Sequence, residues 1–210
     1  GIMQFFKPAF FTPILAIIGM ILVMMCKSAK KKDIGTILVG FAILMTGMNL
    51  MSAAVKPLET NPDFQNILTL FSNPLFGILA GAVLTAIIQS SSASVGILQA
   101  VASTGAINFN MAVPILMGQN IGTCVTAMLS SVGANKNAKR AAIVHLSFNI
   151  IGTVILLVIF SVVKVVAAPA MLNEGASLFG IAVAHSIFNV LCTIILLPMA
   201  GLLEKLANTI

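Results

Sequence analysis

The stretch AIIQSSSASVGIL, residues 86–98, sets a glutamine and four serines inside one of the most apolar parts of the chain. An unpaired amide or hydroxyl buried in hydrocarbon costs about 1–3 kcal/mol, so Gln89, Ser90, Ser91, Ser92 and Ser94 need partners there. A second polar group lies in PILMGQNIGTCVTAML, residues 114–129, where Gly118, Gln119, Asn120, Gly122 and Thr123 interrupt an apolar segment. Neither group contains Asp, Glu, Lys or Arg. Hydroxyls, amides and backbone carbonyls can hold a hard cation through neutral oxygens. A broken helix adds N-terminal amides for an anion and C-terminal carbonyls for a cation. The same construction therefore suits an anion and a sodium ion side by side, as in a secondary symporter. Catalysis is poorly served: the serines have no base in register, and His145 and His185 sit on separate segments. The sequence does not read as an enzyme.

These residues must be positioned by membrane helices. Of 210 residues, 59% are hydrophobic and only 8% charged, against about 25% charged in soluble domains. Pro8–Met25, Ile34–Val55, Ala141–Val163 and Ala176–Leu203 carry no charge, and each matches the ~20 residues that cross a bilayer. The first run is too long for a signal-peptide core. The net charge of +6 falls between the spans and not on one face of a domain, so it does not indicate nucleic acid. Cys26, Cys124 and Cys192 have neither metal nor disulfide spacing. There is no tryptophan or tyrosine, which leaves phenylalanine to anchor the interface.

The expected architecture is an all-α membrane protein, a helical bundle forming a single transmembrane domain over 1–210. Its spans cover about 8–25, 34–53, 111–131, 141–163 and 177–203, with a re-entrant hairpin over 74–104. Residues 64–72, FQNILTLFS, read as a short amphipathic helix at the interface. Pro74 suits the first turn of the next helix. The break at Gln89–Ser92 leaves arms of roughly 12–21 Å at 1.5 Å per residue, too short to cross about 30 Å of hydrocarbon. Charge parity favours a hairpin over a kinked span. Lys27, Lys30, Lys31 and Lys32 place the first loop inside, and Lys136, Lys139 and Arg140 place a later loop inside too. With one crossing in 111–131, both hold only if 74–104 enters and returns on the outer side. Two glycines and an asparagine predict local unwinding at 118–123; close helix packing through small residues is the competing reading. Irregular backbone at membrane depth must be covered by protein or face water, so the hairpin tip and this break are expected to meet.

IVHLSFNIIGTVILL (143–157) and VAHSIFNVLCTIILL (183–197) echo each other, pairing His145 with His185, Asn149 with Asn189 and Thr153 with Thr193. The polar stripe this puts on each helix reads as interhelical packing before it reads as a proton or substrate ligand.

QSSSAS after NPLFGILAGAVLTAII, followed by GQNIGTCVTAML, resembles the sodium–phosphate cotransporter family, the type II group and its bacterial relatives. The resemblance runs from about Ile34 to Phe160. It implies sodium-coupled symport of inorganic phosphate across the cell membrane by a multi-pass protein. Gln89, Ser90, Ser91 and Ser92 would line the site, completed by Gln119, Asn120, Gly122 and Thr123, with Ser90, Ser92, Asn120 and Thr123 as the sodium ligands. Two features depart from the family. Gln119 stands where GANIGT has alanine, and the chain has one QSSS where relatives have two, in inverted halves. It looks like half of an inverted-repeat transporter. Its expected partners are membrane lipid, phosphate and a second half, in the same longer chain or another subunit. The alternatives are a carrier of another small anion and a channel-like or non-transporting subunit.

Overall fold

The computed structural model describes residues 8–57 and 61–209. They form helices, and the described residues contain no strand. The chain divides into two compact units at Val55/Lys56.

The first unit is a pair of helices, α1 (Pro8–Met25) and α2 (Ala29–Val55). They run antiparallel. Gly19 lies against Gly35 and Val39, and Gly35 against Leu22 and Val23. Without side chains at these two positions the backbones approach closely, the usual way membrane helices gain packing. Helix α2 begins at Ala29, so Lys30, Lys31 and Lys32 form its first turn and are not a loop before it. Lysine is a good helix former, and the Thr36 hydroxyl donates to the Lys32 carbonyl at 3.0 Å.

The second unit is built around α6 (Phe109–Gly122), which continues into α7 (Cys124–Ser131). The 23-residue span Phe109–Ser131 is 56% buried at its most apolar, against 22% for each of the other two long spans of this unit. Those are α8 (Lys136–Val166) and α9 with α10 (Leu178–Leu196 and Ala200–Asn208). Burial on all sides explains why α6 shows no polar face: it is the centre that the others surround. A 3-10 turn at Leu197–Met199 joins α9 to α10, where Pro198 lacks the amide an α-helix would use.

A short helix α3 (Pro62–Leu70) precedes two arms, α4 (Pro74–Ile88) and α5 (Ser91–Ala102). Helix α4 runs parallel to α6: Gly77 meets Pro114, Gly118 meets Ile78, and Gly122 meets Ala82 and Thr85. Helix α5 runs the other way. Its first turn meets Gln119, and Leu98 and Ala102 near its end share a core cluster with Ile107 and Met111 at the start of α6. The arms therefore form a helical hairpin. Leu68 and Phe71 before it, Val101 at its last turn and Ile107 after it line one apolar cavity, so entry and exit lie together.

The same end gathers the loops. The Ala176 amide donates to the Ile107 carbonyl at 2.9 Å, and the Phe109 amide to the Glu174 carbonyl at 3.3 Å. The other end of the α6–α7 span, past Ser131, leads into Lys136, Lys139 and Arg140. Capping fixes these starts, with the side chains of Asn73, Asn108, Asn135 and Ser177 each accepting from an amide of the following turn.

The unwinding expected at 118–123 does not occur over that length. Gly118, Gln119 and Asn120 sit inside α6. The interruption is Thr123 alone, which keeps right-handed helical angles, φ −61° and ψ −26°. The physical reason is that the glycines serve packing. A side chain at Gly118 would strike the Ile78 carbonyl, and one at Gly81 the Ile115 carbonyl.

Candidate functional site

The hairpin tip is a sharp break made by two residues. Gln89 closes α4 in the left-handed region, φ 56° and ψ 24°, with its amide donating to the Thr85 carbonyl at 2.7 Å. A side chain in that region costs about 1–2 kcal/mol. Ser90 is extended and caps α5, its hydroxyl accepting from the Ala93 amide at 3.3 Å. The C-terminal end of α4, with its partial negative charge, and the N-terminal end of α5, with its partial positive charge, thus lie within three residues of each other. Gln89 and Ser92 are exposed, and Ser90 and Ser91 are partly buried. Two side chains of the motif remain open to an incoming group, while Ser90 is already spent on the cap.

The second polar stretch turns inward. The Asn120 amide donates to the Leu116 carbonyl at 3.0 Å, and the Thr123 hydroxyl to the Asn120 carbonyl at 2.6 Å. Gly122 packs on the Thr85 side chain. The contact between the two stretches runs through Gln119, whose Nε2 donates to the Ser94 carbonyl at 3.0 Å. Gln119 lies near the middle of the 109–131 span, about 15 Å from its start at 1.5 Å per residue. The start of α5 is therefore level with the middle of that span.

Three oxygens here have no partner. Thr85, Ser94 and Gln119 are 0%, 0% and 1% exposed, and Thr85 Oγ1, Ser94 Oγ and Gln119 Oε1 accept and donate nothing within the protein. Each such orphan costs about 1–3 kcal/mol. Reading the sequence for a site passed over Thr85, although it is the one hydroxyl in α4 and stands one turn before Gln89.

The echoed helices separate by environment. On α8, Asn149 and Thr153 are buried, with the Thr153 hydroxyl 3.4 Å from the Met117 carbonyl of α6. On α9, Asn189 and Thr193 are exposed. Both asparagines donate to the histidine carbonyl one turn back, at 3.0 and 2.8 Å. Neither histidine lies in the hairpin or in α6. Among the described residues no group of His, Cys, Asp or Glu could hold a metal ion.

Comparison with known proteins gives a consistent picture. A family model described as Na+/Pi-cotransporter matches residues 46–193. A Bacillus subtilis protein described as uncharacterized is 32% identical over 144 residues, 67% of this chain and 46% of its own length. The putative inorganic phosphate export protein YjbB of Escherichia coli is 29% identical over 153 residues, 72% of this chain and 28% of its own. The rat sodium-dependent phosphate transport protein 2A is 38% identical over 94 residues, 42% of this chain and 15% of its own. The chain thus spans less than half the length of these curated relatives. No solved structure matches it significantly.

Proposed function

Because the chain belongs to the Na+/Pi-cotransporter family of multi-pass helical membrane proteins, we propose that it forms the QSSS-bearing half of a sodium-coupled carrier of inorganic phosphate. The observation that carries this reading is the hairpin tip. It lies level with the middle of the 109–131 span, joins a helix C-terminus to a helix N-terminus, and leaves Gln89 and Ser92 exposed in a stretch with no charged residue.

The hairpin is re-entrant from the outer side. Its entry and exit lie at one end of α6 with the loop at Glu174, and the basic loop lies at the other. Phosphate approaches the α5 N-terminus and the hydroxyls of Ser91 and Ser92; sodium is held by oxygens alone. The anion offsets the cation, so the site works without a buried carboxylate. Proton coupling would need a group titrating near neutral pH, and neither polar stretch contains one. The direction of net flux follows the gradients, which accommodates both a relative named for export and one named for sodium-dependent transport.

Phosphate flux into vesicles bearing the complete transporter tests the reading. An inward sodium gradient should drive it, and Ser91→Ala should lower the flux and its sodium dependence together. Loss of one charge-assisted hydrogen bond corresponds to roughly tenfold or more in affinity. Flux driven by a proton gradient alone contradicts the reading.

A further inference from the structure

Thr85, Ser94 and Gln119 come from three different helices, with Gln119 in contact with Ser94 and Thr85 about one turn further along the α4–α6 seam. The Gln119 amide is fixed on the Ser94 carbonyl. The backbone amide of Gln119 abuts Gly81, and Thr85, one turn on along α4, abuts Gly122, one turn on along α6. All three residues are at least 99% buried, and each keeps one unpartnered oxygen. Gln119 Oε1 can only accept, while the two hydroxyls can accept as well as donate. Three buried, unpartnered oxygens that can all accept, with no charged side chain among them, are suited to a small hard cation. The C-terminal end of α4 lies one turn beyond Thr85, at the left-handed Gln89, and adds its negative dipole end and last-turn carbonyls to the same region.

We infer that Thr85 Oγ1, Ser94 Oγ and Gln119 Oε1 form an interior sodium site, one turn behind the serine tip and separate from the tip oxygens of Ser91 and Ser92. The inference rests on the sodium-coupled reading above and names a place where the coupling ion sits. The site is compatible with a dry neighbourhood: no charged side chain is required, and the tip lies between it and the incoming anion.

The test uses the complete transporter in lipid nanodiscs, melted with a thiol-reactive dye that reports exposure of the buried Cys124 and Cys192. Sodium chloride should raise the midpoint over choline chloride by about 5 °C at a concentration ~100-fold above Kd, and potassium chloride should raise it less. Thr85→Val removes the orphan oxygen and little volume. It should melt no lower than the parent in choline and lose the sodium increment. Ser94→Ala should lose the increment too, and Thr85→Ser, which keeps the oxygen, should retain it. Equilibrium binding of labelled phosphate in sodium and in choline separates this inference from the one beneath it. Sodium-dependent phosphate binding, with the increment intact in Thr85→Val and Ser94→Ala, overturns the interior site and leaves the coupled reading standing. An increment lost in both variants, in a protein that binds no phosphate, supports the cation site and overturns the phosphate reading. A parent protein with no sodium increment, or with equal increments in sodium and potassium, also overturns the site.

Discussion

QSSSAS and GQNIGT are close in composition, both small, uncharged and set in apolar sequence, yet one turns its helix back and the other only interrupts it at Thr123. The difference lies in what each backbone touches. At 89–90 the chain turns through a left-handed residue and a new helix is capped by a serine. At 118–123 the glycines admit α4 to backbone contact, the Asn120 amide and the Thr123 hydroxyl are spent on carbonyls of their own helix, and the Gln119 amide on the Ser94 carbonyl of α5. A polar residue in an apolar segment is therefore not in itself a break. It becomes one where the backbone has a left-handed turn and a cap to leave the helix by, and it stays helical where close packing needs the helix intact.

That contrast can be pressed by substitution, and the largest effect falls on the packed stretch. Gly118→Leu drives a side chain into the Ile78 backbone, so the loss should exceed the ~1–3 kcal/mol of ordinary overpacking and show as loss of monodisperse protein on size exclusion. Gly201→Ala, on a helix with nothing within 4 Å of the added carbon, is the control and should be neutral or slightly stabilising. At the tip, Ser90→Ala removes the α5 cap and should cost about 1 kcal/mol, read as a lower melting midpoint. Gln89→Gly relieves about 1–2 kcal/mol of left-handed strain but adds chain entropy of roughly 0.5–1 kcal/mol. Its midpoint should move little, while phosphate binding weakens. The smallest effect is expected from His145→Ala, where the side chain is exposed and remote from the tip in sequence. Sodium dependence of phosphate flux should be unchanged; its loss would move the coupling site to α8.

Much of this architecture can be read from the residues. Uncharged runs near 20 residues locate the long helices. Asn73-Pro74 marks a helix start, which the structure gives as a cap on Leu75, and the serine run marks the turn at 89–90. Burial partners are less legible. Gly118 and Gly122 look like helix breakers in a single sequence, because the α4 backbone that fills their place lies some 40 residues away in sequence. The same blindness hid Thr85, a common residue in an apolar helix until the fold buries its hydroxyl without a partner beside Gly122. The echoed motifs of α8 and α9 show the limit from the other side. Near-identical stripes give a buried Asn149 on one helix and an exposed Asn189 on the other, since the stripe is set by sequence and its burial by which helix lies beside α6.

The central claim is that the serine tip is where phosphate and sodium meet, and protection of a cysteine placed there tests it most directly. Ser92 is exposed, so Ser92→Cys in the complete transporter should react with a water-soluble thiol reagent added from outside. Phosphate together with sodium should slow that reaction at least several-fold, phosphate in choline should not, and sodium alone should act weakly. A labelling rate indifferent to phosphate, in protein that still carries out phosphate flux, would place the binding site elsewhere and contradict the account.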